Sequence, residues 1–378
     1  MGPQIYLHLS MVSAFSVLLL AASVATSVTA HAGPAPVNWK RDNLEARVSL
    51  EKRCGSALTA RRLKRSLQAS ESVMRRSNII PRQTSSNDST CFVTPEVTQG
   101  PYHILAEIVR QDMTEGQSGI PLEVSVDFID IDTCEPVQVW VDAWHANATG
   151  YYAGYVASTG SSISSGGAPS GGTPSGSAPG GPTIATATAT ASLGAYDGAD
   201  SYDAMDFLNT AVGDNSTFLR GVWQTDEDGH LSMYSIFPGW YSGRAQHFHI
   251  KAYPEGEIAE NGTFIATGSA VHTGQFFFDN ATLEAVAVVE EYAANSISWA
   301  DGVTNDADMW YPYQSATGYN AEMDITWVGE DITDGLIGSI TVALNMSYLS
   351  PELSTQYADF DLDEYLSASL LPSASPLA

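Results

Sequence analysis

The chain has 378 residues, with 16 Lys and Arg against 43 Asp and Glu, a formal net charge of −27. A chain this acidic repels polyphosphate and anionic bilayers, which argues against nucleic-acid binding and electrostatic adsorption to membranes. The charge is also uneven, since 12 of the basic and 4 of the acidic residues precede Gln83, leaving 4 basic and 39 acidic residues, a net −35, in the remainder.

Residues 1–30 contain SAFSVLLLAASVATSVTA, an apolar run followed by small residues of A-x-A type at Ala30 and Ala32. That pattern predicts a secretory signal peptide, because a membrane-spanning helix needs about 20 apolar residues without the Ser and Thr that interrupt this run. Residues 31–82 carry dibasic pairs at Lys40-Arg41, Lys52-Arg53, Arg61-Arg62, Lys64-Arg65 and Arg75-Arg76, as expected of a basic pro-segment that is processed or disordered. With Cys54 inside that segment, parity pairs Cys91 with Cys134 as a disulfide in an oxidising compartment. Sequons at Asn87, Asn147, Asn215, Asn261, Asn280 and Asn345 agree with a glycosylated, extracellular product. No later segment is apolar enough to cross a bilayer.

Alternation of apolar and polar residues predicts strands in LEVSVDFIDID (122–132), VQVWVDAWHA (137–146), SMYSIF (232–237), AQHFHIKAY (245–253), around Gln275–Phe278, and in GSITVALNMSYL (338–349). Between the second and third lies a Gly/Ser/Thr-rich insertion, 158–193, too poor in apolar residues to fold and predicted to be disordered. ATLEAVAVVEEYAA, residues 281–294, is the one stretch with helical spacing, and the acidic, Ser-rich residues 351–378 are expected to be a flexible tail. The fold class is therefore all-β: one antiparallel β-sandwich domain, residues 83–350, with a short helix.

The chemistry concentrates in PGWYSGRAQHFHI, residues 238–250. Residues two apart in a strand share a face, so His247 and His249 project together while Phe248 turns toward the core. The Pro238-Gly239 turn can bring Tyr241 toward the imidazoles. A second turn, WHANATGYY, offers Tyr151 and Tyr152, whose side chains alternate, so one of them can face the same point. Two phenolates and two neutral imidazoles form a hard, anionic N/O set that suits Fe(III) better than Zn(II). His103, His145, His230 and His272 carry the ordinary expectation of surface or hydrogen-bonding histidines. Asp226-Glu227-Asp228 with Gly229 is expected to be a turn rather than a calcium loop.

Four segments, TPEVTQGPYH from Thr94, VDAWHANATGYY from Val141, LRGVWQTDEDGHLSMYSIFPGWYSGRAQHFHI from Leu219 and TGQFFFD from Thr273, together resemble the intradiol ring-cleavage dioxygenase family, in particular its secreted fungal branch. The resemblance implies a ferric ion held by Tyr152, Tyr241, His247 and His249. It also implies catalytic roles for Tyr241, Arg244 and Gln275, and a pocket bordered by Pro101, Tyr102 and Arg244. Substrates by this resemblance are a catechol-type aromatic and O2, and the product is a muconate-type diacid. The oligomeric state and the particular ring are not indicated. A reading from a different class, a non-catalytic β-sandwich module that binds carbohydrate or cell wall, draws on the 8 Trp and 17 Tyr as stacking platforms.

Overall fold

The computed structural model describes residues 54–56, 59–61, 63–64, 67, 82–83, 97, 99–159, 211–308, 310–315, 321–350, 356 and 358. The expected signal peptide, most of the expected insertion and most of the expected tail lie outside these residues. Among the described residues no helix is long and apolar enough to cross a membrane.

The strands are β1 (Arg82–Gln83), β2 (Pro121–Asp130), β3 (Trp140–Trp144), β4 (Arg220–Gln224), β5 (His230–Ile236), β6 (Phe248–Tyr253), β7 (Gly256–Ile258), β8 (Phe264–Ala266), β9 (His272–Phe276), β10 (Asp324–Trp327) and β11 (Leu336–Leu344). They form a five-stranded sheet ordered β1-β10-β11-β2-β5, a four-stranded sheet ordered β4-β3-β6-β9, and the hairpin β7-β8. The all-β sandwich expected from alternation is what the chain forms. Along β2, Leu122, Val124, Val126 and Phe128 are buried. They join Val141 and Ala143 of β3 and Ile250 and Ala252 of β6 in one core between the sheets. Each of the Val, Leu, Ile and Phe side chains contributes about 1.5–3 kcal/mol by leaving water.

One pairing departs from the antiparallel pattern: β11 runs parallel to β2 from Leu336↔Leu122 to Leu344↔Asp130. Alternation specifies which face a residue takes and says nothing of strand direction. The expected helix 281–294 is divided into Asn280–Ala287 and Glu290–Ala293, the first opened by Asp279, whose side chain accepts the Thr282 N–H.

The disulfide differs from the expectation. Cys134 bonds to Cys54, not to Cys91, and the Cα atoms stand 5.5 Å apart, well within bridging range. Cys54 is fully buried against Ile129 and Ala343. Parity failed because Cys54 was assigned to a segment apart from the domain, whereas it is stitched into it; Cys91 lies outside the described residues. From the same segment Lys64 Nζ reaches Asp228 Oδ2 at 3.4 Å. At the other end, Gln356 and Ala358 bracket Leu105, the Leu105 N–H donating to Gln356 O and the Ala358 N–H to Leu105 O, each at 2.8 Å.

Candidate metal centre

The outward face of the β4-β3-β6-β9 sheet builds the site. Register places Arg220 opposite Trp144, Trp144 opposite His249, and His249 opposite Gln275, so these four form a row across the sheet. The next row is Val222, Asp142, Lys251 and Thr273. Cross-strand partners share a face, so apolar Ile250 and Ala252 point into the core while this polar set points away from it. The polar set is nonetheless buried, because the segment from Gln99 to Arg110 lies over it: Lys251 Nζ donates to Gln99 Oε1 at 2.9 Å, and Asp142 Oδ2 meets His103 Nε2 at 3.0 Å.

Two turns carry the tyrosines to the end of this face, and each uses a glycine to touch the other. A Cβ on Gly239 would stand 2.3 Å from Ala148 O and 2.4 Å from Asn147 O, and one on Gly150, at φ +86°, would stand 2.3 Å from Trp240 O. The Gly239 N–H also donates to Asn147 O at 3.1 Å. The WHANATGYY turn is itself tied by Asn147 Oδ1, which accepts from the Thr149 N–H at 3.1 Å and the Tyr151 N–H at 3.0 Å. After Tyr241, Gly243 at φ +81° reverses the chain, so that Arg244 bridges back to Tyr241.

The result is a convergence of four donor atoms. His247 Nε2 lies 2.9 Å from His249 Nε2, 3.2 Å from Tyr241 Oη and 3.5 Å from Tyr152 Oη. His247 Nδ1–H donates to Ala245 O at 2.6 Å, which fixes the tautomer and leaves the Nε2 lone pair facing the cluster. One lone pair accepts one proton, yet three ligand-type atoms crowd it. Two ligands bound to a metal at about 2.1 Å lie about 3.0 Å apart at 90° and about 3.4 Å apart at a tetrahedral angle, so the observed spacings fit a shared cation. Hard oxygen and imidazole donors without a thiolate suit a ferric ion.

Burial sets the electrostatics. It drives His247 down to about 3, with Arg244 reinforcing it, and pushes His249 far below its ordinary value. Burial likewise raises Tyr152 and Tyr241 well above the usual phenol range. The pocket therefore keeps the imidazoles neutral, as ligation requires, and a cation bound there supplies the charge that favours the phenolates.

Around the cluster, Arg244 Nη1 lies 3.3 Å from His247 Nε2, and Arg244 Nη2 donates to Gln275 Oε1 at 2.6 Å. Arg244 Nε also donates to Asp308 Oδ2 at 2.7 Å, and both side chains are fully buried. Burial opposes ionisation of Asp308, but Arg244 and nearby backbone N–H groups hold its carboxyl below the usual range. Tyr102 packs at 4.8 Å on Tyr152 and 6.4 Å from Tyr241, centroid to centroid. Trp144 stacks on His249 at 4.9 Å and 7°.

Of the residues singled out from the sequence, Tyr152, Tyr241, His247, His249, Arg244 and Gln275 come together, with Tyr102 beside them. Tyr151 is half-buried. Pro101 is buried next to Tyr102, without a described contact to the ligands. Of the histidines expected at the surface or in hydrogen bonds, His103 and His272 are buried, at 2% and 5% exposure, and His103 is the hydrogen-bonded kind, its Nε2 meeting Asp142 Oδ2 at 3.0 Å. His145 is buried too, donating or accepting at Ser235 Oγ over 2.6 Å and stacked on Phe248, a supporting rather than ligating position. The Asp226–Gly229 stretch is the expected turn, with Asp226 Oδ1 accepting from the Asp228 and His230 N–H groups. Asp308 was not legible, since an Asp within NDADMW carries no local signal. Trp144 and Trp240 are buried and offer no platform to a glycan.

No family model matches the chain, and no curated protein matches it. Among solved structures it is similar to an intradiol ring-cleavage dioxygenase from Tetranychus urticae, at 23% identity over 70% of this chain and 99% of that one, with a TM-score of 0.48. It is also similar to the dioxygenase domain of a dioxygenase–carbohydrate-binding fusion from Streptomyces sp. SirexAA-E, at 19% identity, 68% and 99% coverage and a TM-score of 0.37. A catechol 1,2-dioxygenase from Acinetobacter sp. ADP1 follows at 13% identity, 83% and 84% coverage and a TM-score of 0.36.

Proposed function

We propose that the protein is an extracellular non-haem Fe(III) dioxygenase that opens catechol-type rings between their two hydroxyls with O2, giving muconate-type diacids. The observation that carries this reading is the meeting of two phenol oxygens and two imidazole nitrogens at 2.9–3.5 Å in a buried pocket. The set contains no carboxylate or thiolate, the donors that hydrolytic zinc sites commonly add to histidine.

Tyr152, Tyr241, His247 and His249 would hold the ion. A ferric ion held there would supply Lewis acidity that activates a catechol-type ring toward O2. Tyr152 and Tyr241 are both buried; the resemblance to the intradiol family implies that Tyr241, which is followed by exposed Ser242 and Gly243, would be the tyrosine that serves as proton acceptor. Its Oη would take up one catechol proton. Tyr102 presents its ring beside both tyrosines and confines the aromatic substrate to a slot. Arg244, a buried cation at the edge of the cluster, stabilises negative charge as it develops on the ring and the incoming oxygen. Enclosure by Trp144, Tyr152 and Tyr155 keeps water from competing with O2.

The extracellular assignment is supported by the N-terminal leader pattern, the acidity of the domain and the Cys54–Cys134 disulfide. The reaction is tested by supplying ¹⁸O2 with catechol, hydroxyquinol and protocatechuate and weighing the products. Both labelled atoms should enter one ring-opened diacid; a product with one label or none contradicts the assignment.

A further inference from the structure

We infer that Asp308 is a positioning residue, which fixes the guanidinium of Arg244 in the orientation that faces the ligand cluster. The inference rests on the dioxygenase reading, because it assigns Asp308 to the chemistry Arg244 serves there.

Arg244 is fully buried and linked to its backbone through four rotatable side-chain bonds, so its direction must be imposed from outside. Asp308 imposes it along one edge. Its Oδ2 accepts from Arg244 Nε at 2.7 Å and its Oδ1 from Arg244 Nη2 at 3.3 Å, a two-point contact that defines the plane of the guanidinium. The carboxylate is itself immobilised. Oδ2 also accepts the Ala245 N–H at 2.9 Å, and Oδ1 the Trp310 N–H at 2.8 Å and the Tyr311 N–H at 3.0 Å. It is thus anchored both to Ala245, two residues before His247 and just ahead of β6, and to the turn at 308–311.

The remaining contacts complete the frame. Nη2 donates to Gln275 Oε1 at 2.6 Å, and the Gln275 N–H donates to Gln314 Oε1 at 2.9 Å, so a second residue of the same region braces Gln275. With Nε and Nη2 taken by the frame, Nη1 is the nitrogen turned to the cluster, 3.3 Å from His247 Nε2. Without Asp308 the guanidinium could swing by an ångström or more, a displacement that typically costs on the order of 100-fold in rate.

The test compares wild type with Asp308→Asn, Asp308→Glu, Arg244→Met and the double variant Asp308→Asn/Arg244→Met. Asp308→Glu keeps the charge while shifting the carboxylate by one methylene, so it serves if Asp308→Asn does not fold. Asp308 variants should bind iron as wild type does and keep its visible colour, yet lose on the order of 100-fold in kcat with little change in KM for catechol. In the Arg244→Met background Asp308→Asn should cost less than about 2-fold more, since sites acting through one another are not additive. Fully additive losses, or a kcat within about 2-fold of wild type in both Asp308 variants, overturn the inference. A second readout needs no turnover: in the metal-free protein the Arg244 Nε–H NMR signal should be sharp and exchange-protected in wild type and lost in the Asp308→Asn and Asp308→Glu variants. An unchanged signal refutes positioning. Wild type that fails to consume O2, with the signal still lost in the Asp308 variants, would instead refute the dioxygenase reading and leave the Arg244 clamp intact.

Discussion

Replacing Gly239 by Ala adds one methyl group at the contact that brings the two tyrosine turns together. The new Cβ would stand 2.3 Å from Ala148 O, and a separation of at least 3.0 Å is needed, so the turns must part by about 0.7 Å. Gly239 takes no left-handed conformation, so the effect is steric rather than conformational. Metal–ligand distances tolerate only about 0.2 Å. Tyr241, two residues along the displaced turn, therefore loses register with Tyr152 and the histidines. Iron affinity should fall by about 10–100-fold and turnover by on the order of 100-fold. The assay is iron content after dialysis together with O2 uptake on catechol. Gly213→Ala is the control, because its Cβ would meet nothing closer than 3.8 Å. Iron content and turnover of Gly239→Ala within about 2-fold of wild type would refute the argument that this glycine contact sets the ligand geometry.

Other expectations follow from the same structure. Burial raises Glu107 to about 8 from its ordinary 4.5, outweighing the attraction of Arg220, so between those values the folded state keeps a proton the unfolded chain has released. Stability should then fall as pH rises across that window and level off above it; Glu107→Gln removes the dependence, and parallel pH–stability curves for the two proteins would contradict this. Cys54→Ser frees a loop closed over 80 residues, worth about 4.5 kcal/mol of stability by chain entropy. Its denaturation midpoint should drop, whereas Cys91→Ser should leave it unchanged; a drop in Cys91→Ser with none in Cys54→Ser would point back to the parity pairing. Asn147 should carry no glycan when the protein is secreted, since Nδ2 donates to Gln117 Oε1 at 3.2 Å and Oδ1 holds the turn. Peptide mass mapping that finds a sugar on Asn147 contradicts that assignment.

The sandwich was legible because alternation in segments such as LEVSVDF directly reports a half-buried strand. His247 and His249 could be read as a pair sharing one strand face from their spacing, whereas Tyr152 was distinguished from Tyr151 only through the resemblance to the dioxygenase family. What could not be read was whatever depends on contacts between distant segments. The parallel pairing of β2 with β11 leaves no trace in either strand, because a Val faces the core whichever way its neighbour runs. Cys54 was misassigned for a related reason, since composition marked its surroundings as a basic segment while its partner was 80 residues away. Asp308 lies 64 residues from the arginine it holds, in a stretch with no periodicity. Lys251 and Asp142 look like solvent-facing residues of alternating strands; they are buried only because the segment from Gln99 to Arg110 covers that face.

The central claim is that Tyr152, Tyr241, His247 and His249 hold one ferric ion that serves ring opening. The most direct measurement is the iron content and visible absorption of the purified, iron-reconstituted protein, before and after addition of catechol under anaerobic conditions. The account predicts about one iron per chain and a tyrosinate-to-iron band that shifts when catechol binds and is lost in His247→Ala. A colourless protein that retains no iron after reconstitution, or a band that persists unchanged in His247→Ala, would contradict it.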